Sequence, residues 1–387
     1  MLNFTYYNPT QLVFGKDTIK TIGNHVSSFG IKKVLFLYGK GSIFKNGVYD
    51  TAIASLKEHN IDFIEVSGVK PNPVLSKVHE AIKIVKNNNL EGIVAVGGGS
   101  VVDSAKAIAA GAFYDGDVWD FFEGKAQITK ALPIFPILTI SATGSEMNAG
   151  GVITNEAEGK KWGFGSHLLF PKVSILDPSV QATLPTIQTV NGAVDGLSHV
   201  FEAYFGGTSN TDMEDELSEG IIRTIIKHTR ILIEDPSNYD SRSELAWSAT
   251  LALNGINGVG RRGDWSSHGI EHGVSVFNDI AHGSGLAIVM PAWMKYVHST
   301  WPEKFERFAE KIFGITEGTR EEKGLKAIET LRAFYKEIGA PITLKEVGVE
   351  KKDLDFIADT VAKQGVLGSL KRLERDDVYK ILEIAFE

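Results

Sequence analysis

Residues 93–106, Ile-Val-Ala-Val-Gly-Gly-Gly-Ser-Val-Val-Asp-Ser-Ala-Lys, combine a short apolar strand, a glycine turn and the start of a helix. The three glycines allow the backbone to approach a phosphate closely, and the free N–H groups at a helix start attract anions. Ser100 is placed to cap this helix. The stretch differs from Walker A and from Gly-x-Gly-x-x-Gly, so a tight strand-to-helix turn is the alternative. We expect a pyrophosphate site here, because the small apolar helix suits packing against a sheet.

Short apolar runs alternate with helical stretches on both sides of this turn. The runs are rich in Val, Ile, Leu and Phe, as buried parallel strands are. They are Val34 to Tyr38, Phe63 to Val66, Ile93 to Val96, Phe135 to Thr139 and Val173 to Leu176. The helical stretches between them are Val48 to Asn60, Leu75 to Asn89 and Val101 to Ala112. This alternation predicts an α/β domain with a doubly wound parallel sheet.

The pattern changes after residues 177–185, a segment that contains two prolines. Beyond it apolar residues recur at spacings of three and four, and no convincing strand follows. Because 387 residues exceed what one compact core usually holds, we predict two domains, an α/β dinucleotide-binding domain over residues 1–184 and an all-α domain over residues 185–387. At the start, Phe4 to Tyr7 and Gln11 to Phe14 are β-prone runs that predict a hairpin or a pair of edge strands.

Composition excludes several classes of protein. The formal net charge of −8 argues against a nucleic-acid or anionic-membrane partner. The chain has no cysteine, which excludes disulfides, thiolate zinc sites, iron–sulfur clusters and a cysteine nucleophile. No apolar run reaches membrane length and the first residues lack the pattern of a signal peptide, so we expect a cytoplasmic protein without a membrane partner.

Two helical segments carry side chains that suit a metal ion. Asp195 and His199 are four residues apart, as are His268 and His272, and His282 follows a point where we expect the helix to bend or break. A single pair with this spacing is more often a surface pair or a satisfied core histidine. Two pairs beside apolar helical faces favour a metal site instead. Our hypothesis is a site of Asp195, His199, His268 and His282 for Fe(II) or Zn(II).

Two further polar stretches follow predicted strands. Residues 138–151 hold hydroxyls and an amide that could bind phosphate, ribose or nicotinamide, although a polar turn-rich loop is the plainer interpretation. Near the end of the strand that starts at Val34, Gly39, Lys40 and Ser42 stand where NAD sites carry an acidic residue for the ribose. Space, positive charge and a hydroxyl suit a 2′-phosphate, so we predict NADP(H) rather than NAD(H).

Taken together, the glycine turn at 97–106, the segment Ala142 to Glu146, Asp195 with His199, and His268 to His272 with His282 resemble the iron-dependent (group III) alcohol dehydrogenases. The resemblance spans nearly the whole chain in order. It is strongest to the butanol dehydrogenase and NADPH-dependent aldehyde reductase branch, because residues 71–73 and 264–265 also match. It implies a dehydroquinate synthase-like architecture with an α/β dinucleotide domain and a helical metal-binding domain.

The resemblance also implies roles for particular residues. Asp195, His199, His268 and His282 match the family's metal ligands, and His272 matches a histidine that transfers protons. The positions that match cofactor contacts are Gly39, Ser42, Asn72, Gly98, Gly99, Ser100, Asp103, Thr139, Thr143, Asn148 and Lys161. The implied activity is the interconversion of primary alcohols, such as butanol, with their aldehydes by hydride transfer.

Other functions share parts of this pattern. A glycerol (polyol) dehydrogenase remains an alternative, whereas the basic residues that a 3-dehydroquinate synthase needs do not stand around His268 to His282. A metal-dependent hydrolase would leave the polar glycine stretches without a role, and a non-catalytic nucleotide sensor ranks below it. The physiological substrate is left open, with a simple aldehyde as the expected class and Trp265 among the candidates for its pocket wall. The N-terminal edge strands and the family favour a homodimer.

Overall fold

The protein is described by a computed structural model that covers residues 1–387, and the chain divides into two compact units. The α/β unit consists of Tyr7–Leu184 and Asp235–Ala246, and the helical unit consists of Met1–Tyr6, Pro185–Glu234 and Trp247–Glu387. Neither unit is one continuous stretch, because the first six residues pack with the helices and a short later segment packs with the α/β unit. The predicted first domain, residues 1–184, therefore differs from the α/β unit at these two segments.

Eight strands and five helices precede Leu184. The strands are β1 (Gln11–Phe14), β2 (Lys33–Tyr38), β3 (Asp62–Val66), β4 (Gly92–Gly97), β5 (Ile134–Leu138), β6 (Gly150–Asn155), β7 (Lys160–Gly165) and β8 (Val173–Leu176). The helices are α1 (Ile22–Ser28), α2 (Ser42–Lys45), α3 (Val48–Glu58), α4 (Leu75–Asn88) and α5 (Gly99–Gly111).

Nine helices follow, and no strand lies among them. They are α6 (Thr186–Tyr204), α7 (Asp212–Glu234), α8 (Tyr239–Leu253), α9 (Ser266–Asn278), α10 (His282–Val297), α11 (Pro302–Phe313), α12 (Arg320–Glu337), α13 (Leu354–Ala362) and α14 (Arg375–Phe386). None of the helices combines the length and the apolar composition needed to cross a bilayer.

The main sheet has six parallel strands in the order β1-β8-β5-β4-β2-β3. The chain passes from β2 outward to β3, returns to β4 on the other side of β2, and continues to β5 and β8. The strand order therefore reverses between β2 and β4, which pair directly. Ligands of open α/β sheets bind at the carboxyl ends of the strands beside such a reversal. The ends of β2 and β4 are thus the expected place for a dinucleotide.

Side chains of β2 alternate between two cores on opposite faces of the sheet. Val34 and Phe36 belong to one apolar cluster and Leu35 and Leu37 to the other, and all four are fully buried. Burial on both faces explains why the strand is a continuous apolar run rather than an alternating one. The same reason makes the strands of the sheet visible in the sequence.

In the helical unit, aromatic side chains fill the space between helices. Phe205, just after α6, stacks on Phe305 with ring centroids 4.4 Å apart and meets the edge of Phe308 at 5.5 Å. Trp293 of α10 lies 6.3 Å from Phe205. Large rings in contact bury much apolar area and fix the positions of the helices that carry them.

The fold class and all five predicted strands of the sheet are confirmed, and three local predictions are wrong. Phe4 to Tyr7 forms no strand, and β1 pairs in parallel with β8 instead of forming a hairpin. Ser100 does not cap α5, which begins at Gly99 without a side-chain cap. The polar stretch 138–151 leads into an antiparallel hairpin of β6 and β7 that was not predicted, because its glycines mask the strand pattern.

Candidate metal centre and dinucleotide site

Helix α6 brings Asp195 and His199 to one buried face. Residues four apart on a helix lie on the same side, one turn apart, and both side chains are buried. Asp195 is 2% exposed and His199 is 5% exposed. Since polar groups at such depth need partners, the face is a place where a ligand or further polar side chains are expected.

The break predicted after Phe277 is confirmed and delivers the third histidine. Helix α9 carries His268 and ends at Asn278, where Asp279 adopts a left-handed conformation with φ of 53°. Helix α10 then begins at His282 itself. Because the chain changes direction between the two helices, His282 points to the same place as His268 although they are 14 positions apart in the sequence.

Helix α10 approaches α6 closely because residue 283 is glycine. A Cβ atom at Gly283 would stand 2.2 Å from the carbonyl oxygen of Asn191 and 2.6 Å from its Cα atom, distances that no side chain tolerates. Ser284 reinforces the approach, since its hydroxyl donates to Asn191 Oδ1 at 2.7 Å. The glycine after His282 therefore sets the helix crossing that places this histidine beside Asp195.

One carboxylate oxygen lies at the centre of the cluster. Asp195 Oδ1 is 3.5 Å from His199 Nε2, 3.6 Å from His282 Nε2 and 3.9 Å from His268 Nε2. Ligand atoms of Asp195, His268 and His282 all lie within 4.8 Å of one another, and His199 is outside this group of three. The structure thus brings together the four predicted ligands, with His199 at the margin.

The electrostatics of the cluster suit a cation. Burial raises the pKa of Asp195, but the surrounding histidines outweigh it and hold that pKa well below its usual range. Burial lowers the pKa of His199 to about 3, which keeps this imidazole neutral and able to ligate. For His268 burial again lowers the pKa, yet Asp195 and Glu202 together raise it to about 9. The cluster therefore stabilises positive charge at the place where His268 faces Asp195.

Several buried atoms of the cluster lack a hydrogen-bond partner. Two of them, Asp195 Oδ1 and His268 Nε2, face each other across the centre of the cluster. An unpaired buried polar atom costs about 1–3 kcal/mol, so such a group is expected to satisfy these atoms with a ligand. A carboxylate oxygen and imidazole nitrogens are the donor set of Fe(II) and Zn(II). The residues present fit a divalent ion of this kind.

His272 lies beside the cluster and is half-buried. Its ring centroid is 5.6 Å from that of His282, and Glu271, His272 and His282 form a second group whose ligand atoms lie within 4.8 Å of one another. The side chain of His282 is 26% exposed, whereas that of Asp195 is 3% exposed. The cluster is thus most open on the side of His282 and His272.

Two glutamates next to the histidines were not singled out from the sequence. Glu202 Oε1 lies 2.7 Å from His268 Nδ1, and Glu271 Oε2 is hydrogen-bonded to His282 Nδ1. Both glutamates are fully buried. A possible signal was present, because a glutamate in the middle of an apolar helix face needs a partner. The sequence could not show which histidine that partner would be.

Trp265 forms one wall of the cluster in an unusual backbone conformation. It precedes the first turn of α9 with φ of 64°, a region that bulky residues rarely adopt. Its ring meets the edge of His268, with centroids 5.3 Å apart, and the residue is 43% exposed. Strained residues of this kind concentrate at functional sites, which agrees with the prediction of Trp265 as a pocket wall.

The predicted cofactor residues fall on five segments of the α/β unit. Three segments follow β2, β4 and β5, which are neighbours in the sheet. The turn before α4 joins β6 through a bridge between Val74 and Thr154, and Thr154 is paired with Lys161 of β7. The residues are Gly39 and Ser42 after β2, Gly98, Gly99, Ser100 and Asp103 after β4, Thr139, Thr143 and Asn148 after β5, Asn72 in the turn and Lys161 on β7.

The glycines of the turn after β4 are needed for close packing against the loop after β5. A Cβ atom at Gly98 would stand 2.3 Å from Ile140 Cγ2, and one at Gly99 would stand 2.4 Å from Thr143 Cγ2. Neither glycine has a positive φ. Their small size lets the two loops meet at the carboxyl edge of the sheet, where the uncapped start of α5 exposes N–H groups suited to an anion.

A buried lysine holds the loop after β5 in place. Lys106 Nζ donates to Ser145 Oγ at 2.8 Å, to Asn148 Oδ1 at 2.8 Å and to the carbonyl of Gly150 at 2.6 Å. Burial lowers the pKa of this lysine to about 8. Asp103 accepts a 2.6 Å hydrogen bond from Ser145 Oγ. The polar atoms of Asp103 and Asn148 therefore tie α5 to the loop, a role that the sequence did not reveal.

Comparison with known proteins agrees with this architecture. The family profile "Iron-containing alcohol dehydrogenase" matches residues 9–178, and "Fe-containing alcohol dehydrogenase family, C-terminal" matches residues 189–386. The chain belongs to the iron-containing alcohol dehydrogenase family, as its sequence motifs indicated. It is an oxidoreductase that interconverts an alcohol and its aldehyde with a nicotinamide cofactor.

Three relatives illustrate the similarity. The probable NADH-dependent butanol dehydrogenase 1 of Bacillus subtilis is 45% identical over 99% of both chains. The NADPH-dependent aldehyde reductase YqhD of Escherichia coli is 35% identical over 100% of both. Among solved structures, NADH-dependent butanol dehydrogenase A of Thermotoga maritima is 57% identical with a TM-score of 0.98, covering 100% of this chain and 99% of that one.

Proposed function

We propose that this enzyme reduces simple aliphatic aldehydes such as butanal, and oxidises the matching primary alcohols, at a metal centre of Asp195, His199, His268 and His282. The observation that carries the proposal is the single oxygen of Asp195 facing three imidazole Nε2 atoms at 3.5–3.9 Å. The names of relatives that act on butanol and on aldehydes support the substrate class.

When bound, a divalent ion supplies Lewis-acid polarisation of a carbonyl oxygen and the nicotinamide supplies the hydride. Asp195 and the histidines hold the ion, and their burial keeps competing water away from most of the cluster. The substrate reaches the site from the more exposed side, where His282 and His272 lie. Trp265 packs against His268 and borders the space for the alkyl chain.

His272 is the proposed proton donor in the direction of reduction. It is half-buried, next to His282 but outside the group formed by Asp195, His268 and His282. An imidazole is the side chain best suited to give a proton near neutral pH and to recover it from water. In the reverse direction the same ring accepts the proton that leaves the alcohol hydroxyl.

Metal dependence is the direct test of this function. Chelator-treated protein should not oxidise NADPH in the presence of butanal, and turnover should return on addition of Fe(II) or Zn(II), because the ligand atoms alone cannot polarise the carbonyl. Nicotinamide absorbance at each metal concentration measures the effect. Full activity of the stripped protein, with metal absent by elemental analysis, would contradict the proposal. If 1,3-propanediol or glycerol is oxidised with a higher kcat/KM than butanol, the enzyme is a polyol dehydrogenase instead.

We also propose a preference for NADPH over NADH. The relatives named above include both NADH-dependent and NADPH-dependent enzymes. At the end of β2 the chain has Gly39, the exposed Lys40 and Ser42 in place of a carboxylate. A positive charge and open space beside the strand end suit the 2′-phosphate, whereas an acidic side chain there would bind the ribose hydroxyl of NADH.

Replacing Gly39 by Asp should reverse this preference. The backbone tolerates a side chain, because a Cβ atom would meet only the carbonyl of Val69 at 3.5 Å and φ is not positive. The new carboxylate would repel the 2′-phosphate, so we expect the ratio of kcat/KM for NADPH to that for NADH to fall by about 10–100-fold, equivalent to about 1.4–2.8 kcal/mol. Gly39→Ala is the control and should leave the ratio unchanged. A wild-type preference for NADH would contradict the proposal.

We infer that two copies of the chain associate through the edge of the sheet formed by β1. This strand pairs only with β8, so its other side offers unpaired backbone groups. Tyr7, which precedes this strand in the sequence, is 66% exposed. Sedimentation equilibrium should give about twice the 42.2 kDa of one chain. A monomeric mass would contradict the inference.

A further inference from the structure

Glu202 and Glu271 each face the Nδ1 atom of one proposed ligand histidine. A carboxylate only accepts hydrogen bonds, so Nδ1 of His268 and of His282 carries the hydrogen. Nε2 is therefore the nitrogen through which each ring would bind a metal ion, and it lies 3.9 Å (His268) and 3.6 Å (His282) from Asp195 Oδ1. We propose that Glu202 and Glu271 are positioning residues that fix these two rings and thereby set the metal affinity of the site. This inference rests on the proposed ligand set.

Glu202 has a second task at the start of α9. Its Oε1 atom accepts a 3.1 Å hydrogen bond from the backbone N–H of His268, and its Oε2 atom accepts one from the N–H of Trp265. Helix α9 has no side-chain cap of its own, so this carboxylate from α6 takes the place of one. A single side chain thus fixes both the first turn of α9 and the ring that this turn carries.

Glu271 joins α9 to α10 across the break between them. It stands on α9 and bonds the ring at the start of α10, while the hydroxyl of Ser275 donates to its other oxygen. Gly285 makes room for it, since a Cβ atom there would stand 2.8 Å from Glu271 Cγ. Gly285 therefore leaves space for the carboxylate that orients the ring of His282, whereas Gly283 allows the close helix crossing that positions this residue.

The charges agree with this role. Ion-pair partners of Asp195 and Glu202 are histidines. Together with Glu271, Asp195 and Glu202 make three buried carboxylates around the imidazoles. Asp195 faces the proposed metal position directly, and the two glutamates bond the far nitrogen of a ligand ring. Buried carboxylates are costly unless a positive charge accompanies them, and hydrogen bonds from ligand imidazoles to carboxylates make those imidazoles stronger donors. A divalent cation would balance most of this charge.

Metal affinity tests the proposal without reliance on turnover. Metal-free wild type, Glu202→Gln and Glu271→Gln are titrated with Zn(II) against a chromophoric chelator. An amide has nearly the same shape but one acceptor oxygen instead of two, so each variant should bind Zn(II) about 10–100-fold more weakly. The loss should be larger for Glu202→Gln, because the cap of α9 is also disturbed.

Glu219→Gln is the matched control. Glu219 is equally buried, but its carboxylate accepts from Tyr204 and Arg307 instead of a histidine. Its loss should leave the Zn(II) affinity unchanged even if stability falls, and circular dichroism of each metal-free variant checks that it is folded. If Glu202→Gln does not fold, Glu271→Gln still decides, since Glu271 bonds the side chains of His282 and Ser275 and takes no part in the start of α9 described above.

The outcomes separate this inference from the function on which it rests. Wild type that binds neither Zn(II) nor Fe(II) would remove the proposed metal centre itself. Tight binding by wild type and by both glutamine variants would keep that centre and overturn the positioning role. An equal loss in Glu219→Gln would also overturn it, because the effect would then come from general destabilisation of the helical unit.

Discussion

Replacing His268 by Ala should abolish both metal content and turnover. His268 is 6% exposed, faces Asp195 and is held by Glu202, so no water or neighbouring side chain can take over its nitrogen without rearrangement. Loss of an outer partner of a ligand already costs about 10–100-fold, and we expect loss of the ligand to lower kcat/KM by more than about 10³-fold. Elemental analysis and NADPH oxidation with butanal measure the two effects.

His272→Ala is the matched control for this variant, since both histidines stand on α9 one turn apart. It should keep the metal while lowering kcat by about 10²–10⁴-fold, the usual range for a general acid or base. It should also change the pH profile of turnover. If His272→Ala loses the metal and His268→Ala retains it, the two assignments must be exchanged.

Replacing Gly283 by Ala should release His282 from the site. The added methyl group would stand 2.2 Å from a backbone oxygen of α6, and backbone cannot rotate away as the end of a side chain can. Helix α10 must move, at a cost of about 1–3 kcal/mol in the free energy of unfolding. Because His282 is the preceding residue, Zn(II) affinity should fall as well. Thermal unfolding measures the loss of stability, and competition with a chelator measures the Zn(II) affinity.

Gly220→Ala provides the comparison. Gly220 stands inside α7, where an added Cβ atom would meet nothing within 4 Å. Alanine favours a helix over glycine by about 0.5–1 kcal/mol, so this variant should unfold at a higher temperature and bind Zn(II) as wild type does. If Gly283→Ala behaves in the same way, the close crossing of α6 and α10 does not hold His282 in place.

The sequence predicted the sheet because its strands are buried on both faces. Each apolar run such as Val34 to Tyr38 carries its signal within a few residues, and the glycine turn marks where β4 gives way to α5. Ligand types were visible for a similar reason, since Asp195 and His199 share one helix and their spacing is local. Such features depend on neighbours in the chain, and a sequence records those directly.

The tertiary structure decided what lies across helices and loops. The pairing of Glu202 with His268 joins residues 66 positions apart, and the hydrogen bonds of Lys106 reach a loop about 40 positions away. The first six residues join the helical unit, and β1 pairs with β8. Each of these contacts follows from how closely two elements approach, which glycines such as Gly283 permit. Periodicity along one chain segment carries no information about that distance, and so only the folded chain fixes it.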